Sequence, residues 1–215
     1  MGAIRALREI VDEKTVGPKP DFSLSNLVRT ILAIGATKGI GRSSLAREVG
    51  IGEGAVRTII DRLKKKGLIN VTARGCDLTK KGEKLYSELS RRLKKLVNVD
   101  GRELDSDELY SAILVRDIQF SPRSLLDYRD TAIRTGARRS ILVVSTEGKL
   151  TIPSVTDNVE NYAPNLAQEL KKKFDMKDGD VIIVCGAPTY RDAEDASIAV
   201  ALSMIEEMKR VLAYA

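Results

Sequence analysis

The sequence predicts an α+β protein in two parts, a largely helical N-terminal part and a C-terminal part in which strands and helices alternate. Three observations lead to this fold class. Residues 44–79 read as two short helices, each ended by a glycine, followed by two short strands around a turn. After residue 99, apolar runs typical of buried strands alternate with segments of helical spacing. Charge also divides the chain, because residues 1–98 hold 21 Lys and Arg against 10 Asp and Glu, whereas residues 99–215 hold 15 against 20.

The N-terminal part begins with two predicted helices. Residues 4–12 interleave charged and apolar side chains at helical spacing, and this helix is either an accessory packing element or a dimerisation arm. A second helix over residues 23–35 is predicted by a stripe of apolar residues, namely Leu24, Leu27, Val28, Ile31 and Leu32.

Two shorter helices and a hairpin follow. Ser43 or Ser44 is expected to cap a helix that leaves at Gly50, since glycine readily adopts the positive φ of a helix end. The next helix, residues 53–66, stops at Gly67 and carries an apolar stripe of Val56, Ile59, Ile60 and Leu63. Its opposite face presents short, polar or cationic side chains, namely Gly54, Arg57, Thr58, Asp61 and Lys65. Such a face suits a helix that lies in the major groove of DNA.

Residues 43–85 resemble the winged-helix transcriptional regulators of the multiple-antibiotic-resistance and leucine-responsive types. The resemblance is carried by Leu45-Ala46, Gly50, Val56, Leu63, Gly67-Leu68-Ile69 and Leu78-Thr79-x-x-Gly82. It implies that Glu53, Arg57 and Thr58 face base edges, while the wing around Arg74 contacts the backbone or the minor groove. The complete candidate DNA-binding set is Ser44, Glu53, Arg57, Thr58, Asp61, Arg62, Lys64, Lys65 and Arg74.

The charge distribution favours double-stranded DNA as the partner. The excess of Lys and Arg over Asp and Glu lies in the part that carries the winged-helix motif. Neutralisation of DNA phosphates by such cationic side chains supplies most of the sequence-independent affinity for a duplex. A winged helix that does not bind DNA remains an open alternative, because winged helices also serve as protein-interaction modules and as appendages of enzymes. A run such as Lys64-Lys65-Lys66 is by itself compatible with a simple solvated face.

The remaining elements predict a second domain. A basic helix over residues 80–96 leads to a boundary near residues 98–102, which divides the chain into residues 1–98 and 99–215. Helices are expected over residues 121–136, 159–174 and 192–212, and strands over residues 112–115, 140–144, 149–152 and 181–184. The order β-α-β-β-α-β-α is that of a ferredoxin-like domain, βαββαβ, with one C-terminal helix added.

Assembly and effector binding are expected of this second domain. Three strands are continuously apolar, so both sheet faces should be covered, one of them by the last helix, by a partner subunit or by both. A homodimer paired through this domain is therefore predicted. The candidate residues for a small-molecule effector are Arg134, Arg138, Arg139, Thr189, Tyr190 and Arg191. The arginines around Gly136 form either an anion pocket or a solvated loop. The segment before the last helix offers backbone N–H groups to an anion, but simple turn chemistry explains it better.

An enzyme carrying an accessory winged helix is the competing interpretation. Residues 186–191 join a strand to a helix N-terminus that could hold a small anionic or nucleotide-like substrate, but they lack the spacing of a nucleotide-binding loop and an adjacent lysine. Archaeal riboflavin kinases also join a winged helix to a second domain, yet their kinase half is a β-barrel. No catalytic residue, metal site or cofactor is therefore predicted.

Composition completes the sequence-based interpretation. The chain has no histidine, and its two cysteines fall in different predicted domains, which removes the usual zinc and nickel sites and any histidine general base. It contains no apolar run long enough to span a membrane and no signal peptide, so a cytoplasmic protein is expected. The combination of domains is similar to archaeal two-domain regulators whose second domain is uncharacterised. The sequence thus predicts a cytoplasmic, dimeric, effector-responsive transcriptional regulator.

Overall fold

The chain forms two compact units, Met1–Ser90 and Arg91–Ala215, called here the N-terminal unit and the C-terminal unit. The computed structural model describes residues 3–13, 22–118 and 124–214. The sequence places the domain division after residue 98, whereas the compact units divide between Ser90 and Arg91. Among the described helices, none combines the length and the apolar character needed to cross a membrane.

The helices and strands follow an α+β plan, as predicted. The N-terminal unit is built from α1 (Ala3–Val11), α2 (Leu24–Ala36), α3 (Arg42–Val49), α4 (Glu53–Lys65), β1 (Ile69–Thr72), β2 (Gly75–Leu78) and α5 (Lys80–Arg92). The C-terminal unit is built from β3 (Leu93–Val99), β4 (Leu109–Val115), α6 (Leu125–Arg134), β5 (Arg139–Thr146), β6 (Lys149–Thr151), α7 (Val159–Tyr162), α8 (Pro164–Lys173), β7 (Val181–Ala187) and α9 (Tyr190–Tyr214).

The N-terminal unit has a helical core on which a small hairpin rests. α2 packs against α1, α3 and β2, and α4 packs against α3 and β1. The side chains that meet in this core are fully buried, including Leu27, Ile31, Leu45, Val56, Ile59 and Leu63. The predicted apolar stripe of α4 is thus confirmed, and that of α2 is confirmed for Leu27, Val28 and Ile31, whereas Leu24 and Leu32 are half-buried.

Local backbone signals set the ends of these helices. Ser23 caps α2 through a reciprocal capping box with Asn26, and Gly50 ends α3 in the left-handed conformation with φ 75°. α3 begins earlier than predicted, at Arg42, with Gly41 as its N-cap and no side-chain cap. The predicted capping by Ser43 or Ser44 is therefore wrong.

The hairpin β1–β2 is antiparallel and gains a third, short partner. The backbone N–H of Cys76 donates to the carbonyl of Ile40 over 2.9 Å, so residue 40 pairs with β2. Gly75 permits this close approach, because a Cβ built there would lie 2.3 Å from the Gly39 carbonyl oxygen. The segment before α3 therefore adds a third, short strand-like partner to the hairpin and holds it in place.

The C-terminal unit contains a five-stranded sheet in the order β3-β4-β7-β5-β6, with all neighbouring strands antiparallel. From β4 onward the elements keep the predicted β-α-β-β-α-β-α order, apart from a break in the second helix at Ala163 and Pro164. Proline lacks the N–H that a continuing helix needs, which explains the break. The predicted hairpin is confirmed at Glu147 and Gly148, both with positive φ.

The sheet order differs from that of a ferredoxin-like domain, so this part of the prediction is wrong. In a ferredoxin-like sheet the second hairpin strand is central, whereas here β6 stays at the edge beside β5, and β7 takes the centre. β6 is only three residues long with an exposed Lys149, while all seven residues of β7 are buried. A short polar strand suits an edge, and a wholly apolar strand requires neighbours on both sides.

Two further differences concern element boundaries. Leu93–Val99 forms strand β3 at the other edge of the sheet, where the sequence predicts the end of a helix. The spacing of Leu85, Leu89, Leu93 and Leu96 predicts a helix through this segment, but β3 has a register irregularity between Leu93 and Leu96 that accommodates the same spacing in a strand. The predicted helix start at Ser121 lies outside the described residues, and the described helix α6 begins at Leu125.

Both faces of the sheet are covered within the C-terminal unit. α8 covers one face through a cluster that includes Leu114, Val184, Leu166 and Leu170, while α9 contacts β4 and β7 on the other face and α6 packs beside it. The segment of α9 that is apolar nearly all round, residues 198–205, is mostly buried in the single chain. The continuously apolar strands therefore do not require a second subunit to cover them.

Candidate nucleic-acid interface

The exposed face of α4 carries the polar side chains that the sequence predicts for a DNA-reading helix. Val56, Ile59 and Leu63 are fully buried, whereas Arg57, Asp61 and Lys64 are exposed. Rotation of about 100° per residue separates the two sets. α4 is therefore held by its apolar side and leaves a cationic ridge in solvent.

A cleft of about 380 Å³ runs between this ridge and the wing. Its walls include four cationic side chains, Arg42, Arg57, Lys64 and Arg74, and a single carboxylate, Asp61. None of these cationic groups is buried. The fold thus brings together charges that are 32 residues apart in the chain into one positively charged groove.

The wing tip is the two-residue loop Ala73-Arg74. Thr72 Oγ1 accepts the backbone N–H of Arg74 over 3.2 Å, and Asp77 Oδ1 accepts the backbone N–H of Gly39 over 2.9 Å. These bonds fix the base of the hairpin and leave the Arg74 side chain exposed. Arg74 can therefore reach a phosphate or a groove without local reorganisation.

The remaining predicted residues lie around the same ridge, several of them with partners in the chain. Ser44 is half-buried and accepts from the Arg47 guanidinium, and Thr58 donates to the Gly54 carbonyl within its own helix. Glu53 forms an ion pair with Arg42 at 3.7 Å. Arg42 was not predicted, although a cation in the first turn of α3, next to the start of α4, is a signal that could have identified it.

Lys65 lies at the edge of the interface and is partly neutralised. Its ammonium group pairs with Glu13, and this hydrogen bond lowers the pKa of Glu13. The Lys65 side chain is nonetheless 70% exposed. A phosphate would therefore have to compete with Glu13 for this lysine.

Arg62 is placed elsewhere, and its prediction as a DNA contact is wrong. Only 4% of the residue is exposed. Its guanidinium donates to the carbonyls of Ile10, Val11 and Glu13 over 2.6, 3.1 and 3.0 Å, and lies 5.3 Å from the centre of the Phe22 ring. The carbonyls of Ile10 and Val11 are among those that α1 leaves unpaired at its C-terminus, and Glu13 lies two residues beyond the helix, so Arg62 acts as a cap of α1. It anchors α1 to the rear of α4.

In the C-terminal unit, the three predicted arginines around Gly136 do not converge on an empty anion pocket. Each is paired with a carboxylate: Arg134 with Asp130 at 3.9 Å, Arg138 with Glu108 at 3.2 Å and Arg139 with Asp105 at 2.5 Å. Hydrogen bonding to the backbone of Asp107 and to Arg139 lowers the pKa of Asp105. An incoming anion would have to displace these carboxylates.

The other predicted effector residues lie at the start of α9. Thr189 exchanges hydrogen bonds with Asp192, donating to its carboxylate over 2.7 Å and accepting its backbone N–H over 3.1 Å. The helix end is thus capped by its own chain, which agrees with turn chemistry more than with anion binding. Tyr190 and Arg191 are exposed beside it.

Comparisons with known proteins match the two parts of the chain separately. Residues 28–93 match the family described as the CggR N-terminal DNA binding domain, and residues 108–204 match a domain of unknown function, DUF4443. Comparison with curated proteins gives no match. Among solved structures, a hypothetical protein from Pyrococcus horikoshii OT3 shares the fold with a TM-score of 0.64 and 24% identity over 87% of this chain and 95% of that chain.

The first match contains α3, α4 and the wing in full, so the resemblance of this segment to helix-turn-helix regulators is confirmed. The second match contains the sheet strands β4 to β7 and most of α9. The chain therefore joins a segment similar to the CggR N-terminal DNA binding domain to a segment similar to DUF4443, in an α+β fold shared with an archaeal protein.

Proposed function

We propose that this chain is a sequence-specific DNA-binding transcriptional regulator. The observation that carries the proposal is the cleft beside α4, where Arg42, Arg57, Lys64 and Arg74 surround one carboxylate on an exposed helix. A helix of this kind enters the major groove, and cations on the flanking wing bind the sugar-phosphate backbone. The match of residues 28–93 to a DNA binding domain supports the same function.

The side chains divide by the chemistry each offers. Arg57 can donate two hydrogen bonds to guanine, whereas Asp61 accepts from cytosine, so both suit base edges. Lys64 and Arg74 suit phosphates, because a lysine binds as a point charge and the wing tip lies away from the helix axis. Thr58 and Glu53 flank Arg57 at the start of the helix, and Ser44 and Lys65 border the interface.

The proposal extends to regulation and assembly. The C-terminal unit senses a small-molecule effector and the chain works as a cytoplasmic homodimer. Two winged helices related by a two-fold axis would then bind half-sites about 34–36 Å apart, or a multiple of that distance. The proposal gives neither unit a catalytic role.

Selection of bound fragments from random duplex DNA, followed by titration on the preferred site, tests the function. Arg57→Ala should weaken binding to the preferred site by about 1–3 kcal/mol and binding to random DNA much less, because a base contact is lost. Lys64→Ala combined with Arg74→Ala should weaken binding to both DNAs alike and reduce the slope of log affinity against log salt by about 0.9 for each phosphate contact.

Lys84→Ala serves as the matched control, since this lysine is exposed on α5 outside the cleft. It should leave affinity and salt slope nearly unchanged. Absence of duplex binding by the unmodified protein would refute the proposal. Equal losses of affinity for Lys84→Ala and for the cleft variants would instead mean that binding depends on the overall positive charge and not on the cleft.

A further inference from the structure

A second cleft, of about 400 Å³, lies in the C-terminal unit, where β3 ends and β4 begins. Its wall includes Glu108 and Tyr110, and both side chains are buried: the Glu108 side chain is 4% exposed and Tyr110 is 2% exposed. A volume of this size falls within the range of small-molecule sites. Arg138, one of the arginines that the sequence suggests for an effector, pairs with Glu108 in this wall, and Tyr190, another of the suggested residues, also lines the cleft.

Each of these two buried side chains has an oxygen without a partner. Within the described part of the chain, Glu108 Oε2 and Tyr110 Oη make no hydrogen bond. Glu108 Oε1 accepts from Arg138 over 3.2 Å, so only one half of the carboxylate is satisfied. A buried polar atom left unpaired lowers stability, so two of them on residues of one cleft wall call for an explanation, and a bound ligand would supply one.

The position of the Tyr110 ring is built into the fold. Gly186 pairs with Tyr110 across the sheet, and a Cβ at Gly186 would lie 2.5 Å from ring atom Cε1. On the other side, a Cβ at Gly101 would lie 2.4 Å from ring atom Cγ. Two glycines thus make room for the ring, and no larger residue could replace either without displacing it. Burial raises the pKa of Tyr110 to about 12, so its hydroxyl keeps its proton at neutral pH.

The remaining charges of the wall are already matched. Asp100 pairs with Arg102, which holds the pKa of Asp100 at about 2, and Glu169 pairs with Lys173 at 2.5 Å. A free anion would therefore find no unpaired cation here. The unmet hydrogen-bonding capacity of the wall residues is a carboxylate oxygen of Glu108, which can only accept a hydrogen bond, and the hydroxyl of Tyr110, which can donate or accept.

We propose that this cleft binds a small ligand through an amide or amine N–H group, which donates to Glu108 Oε2 while a neighbouring atom of the ligand bonds to Tyr110 Oη. The proposed ligand is thus a hydrogen-bond donor and not a phosphate or carboxylate. As an effector site, the inference rests on the proposed regulatory function. As a binding site, it does not depend on DNA.

Saturation-transfer NMR on the full chain without DNA tests the binding site directly. The probes are matched pairs in which one member has the N–H group and the other an acid: nicotinamide with nicotinate, and benzamidine with benzoate, with inorganic phosphate as a further anion. At least one of the two N–H probes should bind, and if both bind they should compete for the same site. The two acids and phosphate should not bind. Binding of an acid member at equal strength, or of no probe at all, would overturn the proposal.

Variants separate a ligand site from a packing defect. Tyr110→Phe removes only the unpaired oxygen and keeps the ring between its glycines, so the fold should be as stable as before or more so. The affinity of Tyr110→Phe for the probe should nevertheless fall about tenfold or more. The affinity of Glu108→Gln should fall as much, because an amide N–H donor replaces a carboxylate acceptor. Tyr162→Phe, on the exposed helix α7, is the control. Unchanged probe affinity in Tyr110→Phe would refute the assignment even if Glu108→Gln fails to fold.

Regulation is read separately, by titrating the selected duplex with and without the bound probe. A change in DNA affinity that disappears in Tyr110→Phe would make the cleft the effector site. Probe binding without any change in DNA affinity would establish the site and contradict its regulatory use. Failure of DNA binding itself leaves the NMR result standing, so the two proposals fail independently.

Discussion

At the scale of single residues, Arg62 has the most instructive position in the N-terminal unit. Its place in a basic helix suggests a DNA contact, but the side chain turns inward and binds three carbonyls at the end of α1. The sequence could not reveal this, because those carbonyls belong to a segment about 50 residues away and carry no side-chain signal. One position beside an apolar stripe can face either solvent or a neighbouring helix.

Arg62→Ala should lower the free energy of unfolding of the chain by about 2–4 kcal/mol, since it leaves buried carbonyls without a donor. Arg62→Lys should recover only part of this loss, because a lysine cannot span three acceptors with a planar fork. Urea denaturation followed by circular dichroism measures both. The folded fraction of either variant should keep the salt slope of DNA binding, and a reduced slope would return Arg62 to the interface.

At the scale of elements, local signals predicted the DNA-binding segment well. Gly50 and Gly67 mark the ends of α3 and α4, and the stripe of α4 determines which face is buried. The order of the sheet was beyond such signals, because it depends on pairing between strands distant in sequence. The shortness of β6 and the wholly apolar sequence of β7 do indicate an edge strand and a central strand. They decide the strand order only when alternative strand pairings are compared with one another.

The wing provides the prediction at this scale. Gly75→Ala should destabilise the hairpin and weaken DNA binding, because Gly75 has φ 123° and an added Cβ would overlap the Gly39 carbonyl. Thermal unfolding and duplex titration measure the two effects. For the thermal unfolding measurement, Gly54→Ala is the matched control, since a Cβ there meets nothing within 4 Å. It should stabilise α4 by about 0.5–1 kcal/mol. Equal behaviour of the two variants would contradict the role given to Gly75.

At the scale of the whole molecule, the sheet does not account for a homodimer. The apolar strands are covered by helices of the same unit and need no partner subunit. Another surface takes its place. Leu126 and Ile133 are 70% and 44% exposed, and their spacing of seven residues puts them on one face of α6.

Light scattering on the full chain should therefore give a dimer at micromolar concentration, and Leu126→Lys combined with Ile133→Lys should give a folded monomer. Lysine at both positions places like charges across a two-fold axis, where they repel. Val155→Lys, at another exposed apolar position, should remain dimeric. A monomeric unmodified chain would remove the dimer from the proposal, and a dimeric double variant would exclude α6 as the interface.

The two cysteines have a practical consequence for studying this protein. Cys76 in β2 and Cys185 in β7 are free and buried, one in each compact unit, and burial raises the pKa of both thiols, that of Cys185 to about 11. A thiol reagent can reach either sulfur only when the surrounding unit opens. Labelling rates resolved by peptide mass spectrometry would thus report the opening of each unit independently. Each unit therefore carries its own thiol reporter of unfolding, without any engineered probe.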